Sequence, residues 1–243
     1  MITPKQIADA TMSKEKRATA KNDLLAFYVG RPISYVLTIP FLYTNIKPNT
    51  ISLISIIPQI IGFFVFYFAD SKLALIIAWL MFFLWNLLDG VDGNVARYKK
   101  QFSKLGSVYD AMSGYLASAL SFFSIGIVAA HFDCLFDDSI PFEKDFYIVL
   151  GGLSALFTLF PRLIMHKTIS TLMEKDAAND VADRANFDLV KTIALNLKST
   201  TGGAQLLMLV AVLFDISDAF TVCYFLFNTL VMLASLKSIL KEK

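Results

Sequence analysis

Cysteine is scarce in this chain of 243 residues: only Cys134 and Cys223 occur, in neither a CxxC pair nor a metal-type cluster. A thiolate metal site is excluded, a disulfide between the two has no support, and they are read as separate buried or interfacial thiols. Excess charge is lacking too, with 22 Lys and Arg against 20 Asp and Glu. A basic surface for nucleic acid is therefore missing, and nucleic acid is not an expected partner. The first thirty residues contain no 7–15-residue apolar core followed by a small-residue cleavage site, so no cleavable signal peptide is expected and insertion rests on an internal span. Internal repeats and low-complexity tracts are also absent.

What the chain does have is apolar residues, 56% of the total, above the roughly 45–50% of soluble domains. An all-α integral membrane protein follows, with apolar runs at about 50–69, 73–95, 106–130, 146–166, 203–216 and 219–237. Each except the fifth is near the ~20 residues that a bilayer demands. Six transmembrane helices are expected in one membrane domain, 48–243, with a charged loop at 168–200. Residues 1–47 mix Lys5, Lys14, Lys16, Arg17, Lys21 and Arg31 with a short apolar stretch, 33–44. This segment reads as amphipathic helices lying at the interface with membrane lipids. Within the loop, "ANFDLVKTIALNLK" places Phe187, Val190, Ile193, Ala194 and Leu197 at helical spacing. It reads equally as a second surface helix or as an extension of span five. With the N-terminus inside, every Lys and Arg except Lys72 and Lys144 falls on the cytoplasmic side, while Asp70, Asp133, Asp137, Asp138, Glu143, Asp145, Asp215 and Asp218 fall outside. The positive-inside rule then sets both termini in the cytoplasm, with a bacterial-type cell membrane as the expected location.

One stretch departs from this apolar pattern. In "DGVDGNVARYKKQFSKLGSVYDAMSGY", residues 89–115, Asp89, Asp92, Gly93 and Ala96 fall on one helix face, with Arg97 at its edge. Ser103, Gly106, Asp110, Ser113 and Gly114 share a face of the next helix. Joined by a short turn, the two faces can meet and gather three carboxylates at the cytoplasmic boundary. Ionised carboxylates near hydrocarbon cost about 2.5–3.5 kcal/mol each on insertion scales, and they repel one another unless a cation intervenes. Magnesium or manganese answers both, and Mg²⁺ commonly joins carboxylates to substrate phosphates. Gly93 and Ala96 leave room for a phosphate that the planar fork of Arg97 suits. The opposing reading is a charge network in which Arg97 and Lys99 neutralise the acids. A cation transporter is disfavoured because the acids sit at one boundary rather than along a path.

These residues resemble the CDP-alcohol phosphotransferases, membrane enzymes with the pattern DxxDGxxAR, eight residues, then GxxxDxxxD. Asp89, Asp92, Gly93, Ala96, Arg97, Gly106 and Asp110 match seven of its eight fixed positions. The resemblance implies that an alcohol acceptor attacks the β-phosphorus of a CDP-linked donor, CDP-diacylglycerol being one such donor, with release of CMP in phospholipid or related glycolipid or polysaccharide synthesis. Asp89, Asp92 and Asp110 would bind metal, and Gly93, Ala96, Arg97 and Gly106 the nucleotide diphosphate. Ser103 matches a hydroxyl position used on the nucleotide's phosphates. Pro48, Asn49 and Thr50, in "IKPNTIS", match the stretch that helps hold the cytidine. A homodimer is also implied.

The departure is Gly114, where the pattern has an aspartate that binds metal and is the proposed base. Asp110, His166 or an anionic acceptor are candidate replacements, and a catalytically impaired relative that binds nucleotide or lipid as a non-enzymatic partner is the alternative function. Arg162 reads either as a grip for an acceptor phosphate or as a snorkelling arginine. Asn86 would orient Asp89 or make an interhelical contact.

Overall fold

Proline and serine mark where the long apolar runs become helices. Pro48 opens α4 (Pro48–Tyr67), where its missing N–H costs nothing. Ser71 caps α5 (Lys72–Tyr98) by accepting a hydrogen bond from the Ala74 amide. The computed structural model describes residues 2–132, 135, 143–172, 197 and 199–240. Before α4 come α1 (Pro4–Thr11), α2 (Lys14–Ala20), a π-helical turn at Ala26–Gly30 and α3 (Arg31–Leu42). After α5 come α6 (Gly106–His131), α7 (Phe146–Leu172), α8 (Gly203–Leu213) and α9 (Ser217–Ile239). No strand occurs among the described residues.

Five of these helices, α4, α5, α6, α7 and α9, are long and apolar enough to cross a membrane. The expected fifth span forms only the eleven residues of α8, roughly 16 Å of helix against a hydrocarbon core of about 30 Å. Both of its ends are set locally. A turn at residues 200–202 precedes it, with Gly202 so close to Asp23 that a side chain there would collide with the carboxylate. At the other end Asp215 adopts a left-handed conformation (φ 56°), and the Ile216 amide closes back on the Ala211 carbonyl. The apolar stretch 33–44 lies mostly within α3, which is too short to span. Cys223 is a free, exposed thiol. Cys134 and most of the loop 168–200, including nearly all of its expected surface helix, lie outside the described residues.

The chain divides into two compact units. The first holds α1 to α5, the start of α6 through Ala117, and α8 through Leu209. Here Gly62 lets α4 and α5 approach closely: an added Cβ would sit 2.9 Å from the Met81 Cβ and 3.0 Å from the Ala78 carbonyl. Gly90 does the same for α3, where a Cβ would lie 3.0 Å from Ser34. Ile51, Val91 and Val95 form a buried cluster with Leu37, Phe41, Leu42 and Ile46 around it. The Lys99 ammonium caps the end of α3 by donating to the Phe41 and Thr44 carbonyls at 3.0 and 2.6 Å. At the other end of the segment, α1 buries Ile7 and Thr11 and packs on α3 and α5. Ser113 of α6 ties three helices together: its hydroxyl meets Ser55 at 2.7 Å and receives hydrogen bonds from Gln59 at 3.1 Å and Trp85 at 2.8 Å. The chain leaves α5 through Lys100, whose left-handed backbone (φ 55°) and the Gln101 amide bonded to the Ala96 carbonyl turn it toward α6.

The second unit holds the rest of α6, α7, the end of α8, and α9. Without a hydrophobic force between helices in lipid, close backbone packing and polar contacts must supply the cohesion. Gly126 of α6 faces Gly151 of α7, and the Asn228 amide of α9 donates to Ser154 of α7 at 2.7 Å. An added Cβ at Gly151 would lie 2.7 Å from the Phe122 carbonyl and 2.9 Å from the Gly126 Cα, whereas at Gly152 it would meet nothing within 4 Å. Gly151→Ala is therefore expected to destabilise the protein by about 1–3 kcal/mol. Gly152→Ala should be neutral or stabilising by up to about 1 kcal/mol through helix propensity. Thermal unfolding in detergent checks this pair, and equal midpoints for the two variants would contradict the packing described.

Candidate functional site

Two helix ends build the site. The α-helical geometry of α5 continues past its apolar run, so Asp89, Asp92, Gly93 and Ala96 recur on one face as the spacing requires. The turn after Lys100 returns the chain so that α6 opens at Gly106, one helical turn before Asp110. One carboxylate oxygen from each of Asp89, Asp92 and Asp110 lies within 4.8 Å of the other two. Their surroundings differ. Asp92 is 5% exposed and accepts a hydrogen bond from the Ser52 hydroxyl of α4, Asp89 is half-buried, and Asp110 is exposed. An all-oxygen set of three convergent carboxylates fits a hard divalent cation such as Mg²⁺ or Mn²⁺, and Ser52 holds one of those ligands in orientation.

Two clefts meet at this cluster. The first, about 280 Å³, is lined by Pro48, Asn49 and Ser52 of α4, by Gln101, Phe102 and Ser103 of the turn, by Gly106 and Ser107 of α6, and by Ala96. Asn49 and Ser103 bond one another across it: the Asn49 amide donates to the Ser103 hydroxyl at 2.9 Å, and the hydroxyl approaches the Asn49 carbonyl oxygen at 3.2 Å. Both α4 and α6 begin here, which turns the positive ends of two helices toward whatever the cleft holds. The second cleft, about 220 Å³, is lined by Lys16, Arg31 and Ser34 from the N-terminal helices, by Asn86, Asp89, Gly90 and Asn94 of α5, and by Thr201. Asp92, Gly93, Arg97 and Asp110 line both.

Arg97 is folded over Gly93. A Cβ there would come within 2.9 Å of the Arg97 Nη2, so glycine makes the space that the guanidinium uses. Nη2 also reaches the Asn94 carbonyl oxygen at 3.4 Å, and the Asn94 amide in turn donates to Thr38 at 3.2 Å. Arg97 Nε is buried with no hydrogen-bond partner among the described residues. Lys16 stands near it. Burial, then the Arg97 guanidinium, then that of Arg31, pull the Lys16 ammonium down to about 8, so it stays mostly protonated at neutral pH but is held among like charges.

Of the residues predicted from sequence, Asp89, Asp92, Asp110, Gly93, Ala96, Arg97, Ser103, Gly106, Pro48 and Asn49 all line one or both clefts. Thr50 is exposed and lines neither. Asn86 makes an interhelical contact: its amide donates to the Thr201 carbonyl at 2.8 Å and to the Gln205 side chain at 2.6 Å, pinning the start of α8 beside the second cleft. Arg162 and His166 belong to α7 and are not among the residues lining the clefts. Sequence reasoning missed Ser52, Lys16 and Arg31. Ser52 had a signal, since it lies one helical turn after Asn49; Lys16 and Arg31 had none.

A position beside Gly114 is open. An added Cβ would have nothing within 4 Å. The glycine therefore reflects no steric demand at the Cβ position.

No curated protein sequence matches the chain. The family model described as CDP-alcohol phosphatidyltransferase matches residues 45–234. Because that match runs from just before α4 to near the end of α9, taking in every helix of spanning length and both arms of the acidic motif, the chain belongs to the CDP-alcohol phosphatidyltransferase family.

Proposed function

We propose that this integral membrane protein transfers a substituted phosphate from a CDP-linked lipid, of the CDP-diacylglycerol type, to an alcohol acceptor at the cytoplasmic face, in phospholipid or related glycolipid synthesis. The observation that carries the reading is the convergence of Asp89, Asp92 and Asp110 where two clefts meet. The family is divalent-metal dependent, and these three carboxylates are the residues that would hold Mg²⁺ or Mn²⁺. A cation held there would supply positive charge against the charge that develops on the transferring phosphate. The cleft between α4 and α6 takes the nucleotide: Pro48 and Asn49 lie at its cytidine end, Ser103, Gly106 and the α6 amides meet the phosphates, and Arg97 grips the diphosphate above Gly93. Basic residues concentrated on one side of the spans support the cytoplasmic orientation and cytoplasmic termini. The N-terminal segment 1–47 is then an interfacial layer on the membrane domain 48–243.

In the reaction the acceptor oxygen forms a bond to the β-phosphorus while the bond from that phosphorus to the CMP oxygen breaks, its electron pair leaving with CMP. The acceptor's proton needs a base, and glycine occupies the position that supplies one in the family pattern. Asp110 takes that role here, because its exposure lets it pass the proton on to water. Positioning and electrostatic stabilisation carry most of the rate in phosphoryl transfer, which leaves a glycine at 114 compatible with turnover. Gly114 also motivates the second reading, a non-catalytic relative that binds a CDP-linked ligand without turning it over.

Three outcomes check these assignments. Asp89→Asn is expected to abolish Mg²⁺-dependent CMP release from CDP-diacylglycerol, and Asp110→Asn to lower it by about 10²–10⁴-fold; release equal to wild type in both would contradict the site. Gly93→Ala meets only the end of the flexible Arg97 side chain, so it should fold normally yet weaken CDP binding by about 10- to 100-fold as the guanidinium is displaced. Unchanged affinity in calorimetry would remove Arg97 from the nucleotide. Gly114→Asp should fold, since nothing lies within 4 Å of an added Cβ. If it lowers an existing activity the site is adapted to glycine, as the enzymatic reading expects; turnover created where wild type has none would establish the non-catalytic reading.

A further inference from the structure

The turn between α5 and α6 carries an apolar ring where its neighbours are polar. Phe102 is 75% exposed, the most exposed large apolar side chain among the described residues. It lines the first cleft, whose wall also holds Pro48 and Asn49. A phenyl ring left in water forfeits the stabilisation of burial, which a partner seated in the cleft would restore. The exposed apolar residues that follow it, Leu105, Val108 and Met112, recur at helical spacing into α6 and line neither cleft, as lipid-directed side chains do. Phe102 stands apart from that stripe.

The backbone on either side of the ring is fixed. Lys100 is left-handed (φ 55°), the Gln101 amide bonds the Ala96 carbonyl at 2.9 Å, and the Gly106 amide bonds the Ser103 carbonyl at 3.1 Å. The adjacent Ser103 hydroxyl is tied to the Asn49 amide of α4 at 2.9 Å. Phe102 is thus presented at the cleft wall with a ring face open to a flat partner. The remaining walls narrow the chemistry of that partner. Asn49, Ser52, Gln101, Ser103 and Ser107 make the cleft polar, and the starts of α4 and α6 favour an anion. An acyl chain would meet hydroxyl and amide groups along most of its length. A group with apolar faces, a polar edge and an attached phosphate suits every wall, and a nucleotide base is such a group.

Under the phosphotransferase reading with the nucleotide in this cleft, on which the inference rests, we propose that Phe102 is the stacking platform for the pyrimidine ring of the CDP-linked donor. It occupies a position that the pattern DxxDGxxAR, eight residues, then GxxxDxxxD leaves free. Because every base has a π face, a stacking ring supplies affinity for a base rather than choice among bases.

The test uses the full chain in lipid nanodiscs with Mg²⁺ and compares CDP with ribose 5-phosphate, which lacks the base, by calorimetry. Phe102→Leu removes the ring at an exposed position and is expected to weaken CDP by about 5- to 100-fold, while ribose 5-phosphate binds as it does to wild type. Phe102→Tyr keeps a ring and should hold CDP affinity within a few-fold. Phe102→Trp adds an optical readout: CDP stacked on the new indole should quench its emission and ribose 5-phosphate should not, against the background of the buried Trp79 and Trp85. CDP affinity unchanged in Phe102→Leu would overturn the proposal and leave the phosphotransferase reading standing. An equal loss of ribose 5-phosphate affinity would show that the ring shapes the turn rather than stacking on the base. Indole emission quenched by brominated lipid but indifferent to CDP would make Phe102 a membrane anchor, and either result overturns the proposal. Wild-type protein that binds no CDP would refute the phosphotransferase reading and the stacking role together.

Discussion

Three carboxylates held within 4.8 Å of one another at the end of an apolar helix pair are the constraint on which this structure turns. Two like charges at that separation repel by about 3–4 kcal/mol at an effective dielectric of ~20, and three such pairs approach the whole marginal stability of a folded protein. A divalent cation bound among them would convert this liability into attraction. The surrounding structure is arranged to keep the acids together in spite of it: Ser52 holds Asp92, Ser113 ties α4, α5 and α6 one turn deeper, and Gly62 and Gly90 let neighbouring backbones close on α5.

The same convergence explains why there are two clefts and not one. The acids and Arg97 lie on a shared wall, with the starts of α4 and α6 on one side and the N-terminal helices on the other. Each side has its own polarity. The first offers helix N-termini and the Asn49–Ser103 pair, suited to a nucleotide diphosphate; the second offers fixed side-chain cations. Reaction between two substrates at one phosphorus needs such an arrangement, with separate approaches to a common centre.

What the sequence made legible is what local periodicity controls. Asp89, Asp92, Gly93 and Ala96 could be placed on one face because offsets of three, four and seven residues are a property of the helix itself, and Gly106 and Asp110 followed by the same rule. The same rule bears on the start of α4. Adjacent residues on a helix point about 100° apart, so Asn49 and Ser52 line the first cleft while the exposed Thr50 between them does not, and Ser52 bonds Asp92. The five long spans were legible from hydropathy, but the shortness of α8 was not, because it depends on the turn at Gly202 pressed against Asp23, 179 positions earlier in the chain. Lys16, Arg31 and the link from Asn86 to Thr201 and Gln205 were hidden for the same reason: only tertiary packing brings such distant segments to one cavity.

The central claim is that the acids create the substrate site by binding a divalent cation. It is tested most directly by measuring the affinity of wild-type protein for CDP as Mg²⁺ is titrated in after treatment with EDTA. The account expects CDP binding to be absent without the cation and to rise with its concentration to saturation. Equal CDP affinity in EDTA and in Mg²⁺ would contradict it.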